Sequence, residues 1–480
     1  MKLMKKTSFY LLTDSHYVSK KNWVEGKPFT FRERSDQIAL KATPEILDTF
    51  LDKVIADTET DTVLFTGDNI NNCDMNSHYE FRERLERLVA AGKKVYVTYA
   101  THDYSGGGED NNWFEGCRYT ETGTEPLESM KRGGLFDFYY DYGPKQALSV
   151  HRESGSFTVQ LGEGVRLIAI IDNGDGGGYC GLFEDGVEWL KSEIKSAKEN
   201  GDYVLLATHH PVLPPWEVFR HVADYELYGG YRELCELMCE ENVRVVFTGH
   251  THIQNIKKYT DSEGRWLLDI STIAIANAAG KMRKITVDAD EGVCDVTSIG
   301  IEKINGKDTG GLSAYEYLYP LNFPGIWEKL IPLMSSDYDS FLELAEGYLP
   351  VDKLKKLKPL VKLAGKKVQK IKLSSAAKLG RAWRELTPEQ KTQAKNKKLT
   401  DTVYVILRHI YTGNAPFTPD TAEYKAVNGL ASRADKIVNT LNIKKIKQII
   451  PDGSSLREMA QDFLYNCRTG NDDEITFSLK

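Results

Sequence analysis

Long apolar runs are missing from this chain. None approaches the ~20 residues that a bilayer-spanning helix needs. Cysteine is scarce: seven are scattered through 480 residues, with neither zinc-ligand spacing nor a disulfide framework. No internal repeat is present, and neither sign of charge dominates, with 62 Lys and Arg against 69 Asp and Glu. These absences exclude a disulfide-stapled scaffold and a bilayer-spanning helix, and the cysteine usage predicts a cytoplasmic protein. The start of the chain carries three lysines in Met1–Lys6 and then the apolar Ser8–Leu12. That stretch is too short for a signal-peptide core and lacks a small-residue cleavage site, so it reads as a retained strand.

What is present is an ordinary globular composition: 41% apolar residues, 25 Tyr and 18 Phe, enough to bury a core and too much for a disordered or collagen-like chain. The length predicts about three units, or one large domain with an appendage. Over residues 1–300, short apolar β-rich runs alternate with helical stretches. Ser8–Thr13, Thr62–Thr66, Lys94–Ala100, Val165–Ile171, Tyr203–Thr208 and Val243–Thr248 read as strands. Glu45–Ala56, Tyr79–Ala91, Gly186–Glu199 and Gly230–Glu241 read as helices between them. That alternation predicts an α/β fold. From Ile253 to Ser298 four consecutive strands follow, and they predict an antiparallel completion of a second sheet. Residues 104–144 form a long Gly- and aromatic-rich insertion, expected to be an ordered lid. Residues 301–325 read as a connector, and 326–480 as a mostly α-helical accessory domain; Thr387-Pro388-Glu389 marks one helix start.

The chemistry sits at the strand ends. Asp14 and His16 follow the first strand, Gly67-Asp68-Asn69 the second and His102-Asp103 the third. His209-His210-Pro211 and Gly249-His250-Thr251-His252 follow two later strands. Six of the ten histidines fall in these motifs. Open α/β sheets build sites at the carboxyl ends of their strands, so these groups are expected to converge. Imidazole and carboxylate together suit Zn, Fe or Mn. Two such ions about 3.5–4 Å apart hold a phosphoryl group and generate hydroxide near neutral pH.

The motif order D-x-H, G-D, H-D, H-x-P, G-H-x-H resembles the calcineurin-like metallophosphoesterases, over about residues 5–300. The resemblance implies a two-sheet sandwich flanked by helices and a dinuclear centre of divalent or trivalent ions, Mn, Fe or Zn. It implies that Asp14, His16 and His252 hold the first metal, that Asp68 bridges, and that His209 and His250 hold the second. His102 is implied to contact phosphate and protonate the leaving group, oriented by Asp103. Where the family carries an Asn whose oxygen binds the second metal, this chain has Thr101. A hydroxyl is the poorer ligand, so the second site is expected to be the weaker unless Asn69 or a water compensates.

The activity implied is hydrolysis of a phosphate ester by a metal-bridging hydroxide. The catalytic region is more similar to the cyclic-nucleotide phosphodiesterase branch than to the large protein phosphatases, which implies a diester. A phosphomonoesterase, a nuclease or a non-catalytic metal-binding protein with the same motifs are the alternatives. Three further features are weaker signals. Gly174–Gly178 is a glycine loop after a strand that matches no phosphate-binding motif. His210, Trp216 and His221 follow the fourth motif and are candidates to shape the pocket. Residues 301–480 carry net +8 of a total −7, leaving −15 for residues 1–300. Most of the positive charge lies in residues 353–398, where lysines interleave with apolar residues. That pattern fits an anionic surface, an acidic partner, or a solvated helix.

Overall fold

Lys6–Leu12 (β1), Thr62–Thr66 (β2) and Lys94–Thr98 (β3) are short runs rich in apolar and β-branched residues. In the computed structural model they lie parallel, side by side, and almost wholly buried. The structure describes residues 6–36, 38–106, 114–173, 179–217, 219–222, 224–346, 349–441, 450, 454–465 and 470–480. The insertion carries a two-stranded ribbon, Cys117–Tyr119 (β4) and Thr124–Pro126 (β5), and a helix, Arg132–Phe138. Then come Ser149–His151 (β6), Ser156–Gly162 (β7), Val165–Ala169 (β8), Tyr203–Ala207 (β9) and Val245–Thr248 (β10). The last strands are Asn255–Thr260 (β11), Trp266–Ser271 (β12), Lys281–Asp288 (β13), Val293–Gly300 (β14) and Glu474–Ser478 (β15).

Two sheets result. One runs β15-β14-β13-β1-β2-β3 and the other β11-β12-β10-β9-β8-β7-β6. Side chains alternate along each strand, and that period builds the layers. Phe9, Leu11 and Leu64 of the first sheet meet Phe157, Leu167, Leu205 and Phe247 of the second between the sheets. Phe9 and Phe247 touch edge to face with centroids 5.9 Å apart. The alternate residues Ile168, Leu206 and Val246 pack outward, in a cluster with Leu190 and Ile194 of the helix Glu184–Glu199 and Leu234 and Met238 of the helix Tyr231–Glu240. This is the two-sheet sandwich flanked by helices.

The four strands from Ile253 onward do not all complete one sheet. β11 and β12 join the second sheet, but β13 crosses to the first and pairs antiparallel with β1, from Lys6↔Asp288 to Leu11↔Arg283. The cause is the period-2 pattern of β13, which places Ile285 and Val287 in the inter-sheet core beside Phe9 and Leu11.

The chain divides into two compact units. The first comprises residues 1–213, 225–318 and 471–480; the second comprises 214–224 and 319–470. The final ten residues thus leave the helical region, and β15 pairs with β14, Phe477 opposite Cys294. The second unit is helical. Its helices include Phe323–Ser336, Tyr338–Ala345, Leu373–Leu379, Pro388–Asn396 and Ala422–Thr440. Thr387 caps Pro388–Asn396 through a reciprocal pair with Gln390.

Candidate metal centre

Each parallel strand near the middle of a sheet ends in a tight bend, and the bends carry the chemistry. Nine described non-glycine residues have φ between 40° and 66°, and five of them are Asp14, His16, Asp68, His250 and His252. Left-handed backbone is costly for these residue types and collects where function needs it. Two glycines make the approach of the bends possible. A Cβ on Gly67, whose φ is 97°, would sit 2.8 Å from His209 Nδ1 and 2.9 Å from Ala100 Cβ. A Cβ on Gly249 would collide with the side chains of Thr13 and Asp14.

The predicted residues come together. Three sets of side chains offer ligand atoms within 4.8 Å of one another: Asp14, His16 and His252; His16, Asp68 and His102; and Asp68, His209 and His250. The sets link through His16 and Asp68. His16 Nε2 and His252 Nε2 lie 2.9 Å apart, with Asp14 Oδ1 3.4 Å from the latter. His209 Nε2 lies 3.0 Å from Asp68 Oδ2 and 3.9 Å from Asp14 Oδ1.

Hydrogen bonds behind the rings fix which nitrogen faces inward. The Asp36 carboxylate can only accept, so it takes the Asn71 amide N–H at 3.0 Å and turns the Asn71 oxygen toward His16 Nδ1, 3.0 Å away. Nδ1 of His16 therefore carries the proton and Nε2 presents a lone pair. His209 Nδ1 donates to the Thr66 carbonyl at 2.9 Å, with the same result. His250 is held the other way round. Its Nε2 meets Glu226 Oε2 at 2.6 Å, which leaves Nδ1 facing inward. His250 Nδ1 is buried with no hydrogen-bond partner, and His209 Nε2 faces the Asp68 carboxylate at 3.0 Å. Inward-facing imidazole nitrogens beside two buried carboxylates are a donor set suited to a divalent cation.

The electrostatics agree. Burial opposes the charge of Asp14 and Asp68, yet the surrounding imidazoles hold both carboxyls well below the usual range. Reciprocally, burial disfavours a charged His209, but Asp68 and Asp14 outweigh it and push that ring up to about 10. The space between these groups favours positive charge.

His102 and Asp103 divide the work differently from the sequence expectation. The resemblance makes Asp103 the group that orients His102, but the Asp103 carboxylate is occupied elsewhere. It accepts from the backbone N–H of Ile70 and of Ala100, each at 2.8 Å, and from the Asn69 amide at 3.3 Å. Asp103 thus ties the bend after β2 to the bend after β3. The Asn71 carbonyl orients His102 instead, taking its Nδ1–H at 2.8 Å. Phe114 of the insertion lies against the His102 ring, centroids 3.7 Å apart. Burial lowers the His102 ring well below its ordinary value, with Asp68 opposing. Thr101 opens the single turn Thr101–Asp103, and the next backbone N–H, that of His102, binds Asp68 Oδ1 at 3.0 Å. The Asn69 amide nitrogen also reaches the Thr98 carbonyl at 2.8 Å.

Glu226 escapes a motif reading, because a lone carboxylate 24 residues before His250 has no sequence signature. Asp172 lies three residues past the end of β8 and accepts from Thr208 Oγ1, the His210 N–H and His210 Nδ1, at 2.7–3.1 Å. That holds the His210 ring 4.0 Å from the His250 ring, centroid to centroid. Trp216 packs on Phe463 within the second unit. Gly174–Gly178 and the His221 side chain lie outside the described residues.

A family model described as calcineurin-like phosphoesterase matches residues 7–254, half of the chain and every motif up to His252. The chain belongs to that family. Metal-dependent phosphoester hydrolysis is accordingly its reaction class. A search of curated proteins finds no match. Among solved structures the chain is similar to a dimetal phosphatase from Danio rerio, at 12% identity over 61% of this chain and 96% of that one, with a TM-score of 0.44. It is similar to a purple acid phosphatase from yellow lupin seeds, at 12% identity, 62% and 52% coverage and a TM-score of 0.37. A third is a predicted phosphoesterase from Streptococcus pneumoniae, at 11% identity, 65% and 97% coverage and a TM-score of 0.25.

Proposed function

We propose that this metallophosphoesterase hydrolyses a phosphodiester at a dinuclear centre. Asp14, His16 and His252 would hold one cation and His209 and His250 the other, with Asp68 shared between the ligand sets. The observation that carries the reading is the linkage of the three ligand sets through His16 and Asp68, with His250 Nδ1 buried and unbonded. Divalent ions bound there would supply Lewis-acid charge for the phosphoryl oxygens and a nucleophile active near neutral pH.

The chain's own residues do the rest. Asn71, Thr66 and Glu226 hold three imidazoles in the tautomer that binds a cation. His102 is the acid. Its Nδ1–H belongs to the Asn71 carbonyl, so only the imidazolium offers a second proton, at Nε2. Burial disfavours that charge and Asp68, 4.0 Å away, favours it. An approaching phosphate anion adds to the attraction, so the proton arrives where the leaving oxygen needs it. Phe114 gives an apolar wall beside the acid, which suits a substrate with an organic group on each of two ester oxygens. The resemblance to the cyclic-nucleotide phosphodiesterase branch supports the same preference. The six described cysteines form no disulfide, which supports a cytoplasmic setting. Among the described residues no helix is long and apolar enough to cross a membrane.

The test is hydrolysis of a nitrophenyl phosphodiester and the matching monoester by purified, Mn²⁺-loaded protein, beside Asp68→Asn. The expected result is faster turnover of the diester and a loss of about a hundredfold or more in the variant, with unchanged circular dichroism. A monoester preference selects the phosphomonoesterase reading. No turnover of either ester by metal-loaded protein overturns the proposal.

A further inference from the structure

Between Val351 and Lys372 the chain carries nine lysines, one aspartate and no arginine. The segment forms two consecutive helices, Val351–Lys356 and Lys358–Val368. The second helix packs inward through a narrow seam. Gly365 lies so close to the helix Phe323–Ser336 that an added Cβ would stand 2.7 Å from Met334 Cβ. One turn on, Gln369 Nε2 donates to Ser335 Oγ at 3.1 Å. This seam uses small and polar residues; Leu354 and Val361 pack against the core of the second unit, and five other large apolar residues are left outside. Leu360 is 63% exposed, Leu363 49%, Leu357 46%, and Val368 and Ile371 37% each. Leu360, Ala364 and Val368 follow one another at four-residue spacing and so share a face. That face borders a groove whose walls include Trp327, Ile331, Leu354 and Val361.

An amphipathic helix normally buries its leucines and exposes its lysines. Here both are in water. We propose that this face docks on an anionic lipid bilayer, the leucines entering the headgroup–acyl boundary and the lysines pairing with lipid phosphates and carboxylates. The composition selects that occupant. Protein interfaces are depleted of lysine in their cores. Nucleic-acid grooves draw on arginine and stacked aromatics and gain nothing from exposed leucine. Interfacial membrane helices combine lysine with exposed leucine, and each lysine near an anionic surface adds to binding.

The experiment is co-sedimentation of the full chain with vesicles of phosphatidylcholine alone and of phosphatidylcholine with phosphatidylserine. The comparison is a Leu360→Glu/Leu363→Glu variant, altered only at exposed positions remote in sequence from every ligand of the metal centre. The expected result is pelleting with the serine lipid only, weakened by salt, and a partition about tenfold or more lower in the variant. Ester hydrolysis and circular dichroism of the variant should match the parent. Absence of pelleting overturns the proposal, and so does pelleting that the variant retains. Binding of equal strength to heparin or duplex DNA, unaffected by the two substitutions, overturns it in favour of a polyanion partner.

Discussion

In the proposed dinuclear centre, removing the Glu226 carboxylate should weaken one metal site and spare the other. Glu226 Oε2 lies 2.6 Å from His250 Nε2, and Glu226 is the acceptor that leaves Nδ1 of His250 facing inward. Burial works against its charge, but His250 outweighs burial and holds the carboxyl below its usual value. A group oriented behind a metal-bound histidine is typically worth about 10–100-fold in metal affinity, or about 1.4–2.7 kcal/mol. The Glu226 side chain is 32% exposed, so water screens part of the interaction and the lower half of that range applies. Thr101 raises the stakes, because the second set has only Asp68, His209 and His250 as strong ligands. We expect Glu226→Ala to lose about 10–30-fold in Mn²⁺ affinity at one of two sites, read by calorimetric titration of metal-free protein. Glu226→Gln should lose less, since its amide oxygen still accepts from Nε2–H without the charge. Excess Mn²⁺ should restore turnover. Two unchanged binding isotherms would refute the reasoning, as would equal losses at both sites.

Further expectations follow from other groups. His102→Ala should slow esters with poor leaving groups by about 10²–10⁴-fold and nitrophenyl esters far less; a Brønsted plot with unchanged slope contradicts the acid role. Arg283 is fully buried and donates to the Ser271 and Asp472 carbonyls at 2.7 and 2.8 Å and to Ser298 Oγ at 3.0 Å. Arg283→Met, which strands those acceptors and unfastens the returning C-terminal strand, should cost about 3–5 kcal/mol in urea denaturation, and an unchanged midpoint would disprove this. His78 is buried and its ring is lowered to about 4, by burial against the help of the Asp103 carbonyl. Between that value and the ordinary ~6.5 the unfolded chain holds a proton that the folded one does not. Stability should be full above ~6.5 and fall by up to about 3 kcal/mol as the pH drops to 4, a slope that His78→Gln should flatten.

The parallel strands are legible in the sequence because burial on both faces makes each a short apolar run. Thr62–Thr66 and Trp266–Ser271 match to the residue. β7, with the sequence SFTVQLG, mixes hydroxyl and amide groups into its pattern and does not stand out. The helix Lys27–Asp36 buries only Phe29 and Glu33 and shows no apolar stripe. β15 follows some 150 residues of helical pattern, and only pairing with β14 makes it part of a sheet. The candidate ligands are legible for another reason. Their residue types are rare and their spacing is set by the bend after a strand. The groups that orient them are not, because Asn71, Asp36 and Glu226 each act alone through one hydrogen bond. Asp103 shows the limit of a motif. Residue order places it beside His102, but only the fold shows its carboxylate turned to Ile70 and Ala100.

The bends explain why whole sheets are needed for so small a centre. A left-handed residue with a Cβ costs about 1–2 kcal/mol, so Asp14, His16, Asp68, His250 and His252 together store at least about 5 kcal/mol. That rivals the net stability of a typical domain. Isolated loops would relax. Here each bend is fastened to its neighbour by backbone hydrogen bonds that prolong the parallel pairing beyond the strands. Asp14 N–H binds the Gly67 carbonyl at 3.1 Å, His16 N–H the Asp68 carbonyl at 3.0 Å, and Tyr17 N–H the Asn69 carbonyl at 2.9 Å. Within the second sheet Gly249 N–H binds the His209 carbonyl at 2.9 Å, and across the sandwich His250 N–H reaches the Asp14 carboxylate at 3.1 Å. Glycine would relieve the strain at any of the five positions and remove the ligand with it. The chain instead keeps a strained Asp or His where the side chain is needed. It places glycine one residue earlier, at Gly67 and Gly249, where the backbone of one bend presses closest on the next.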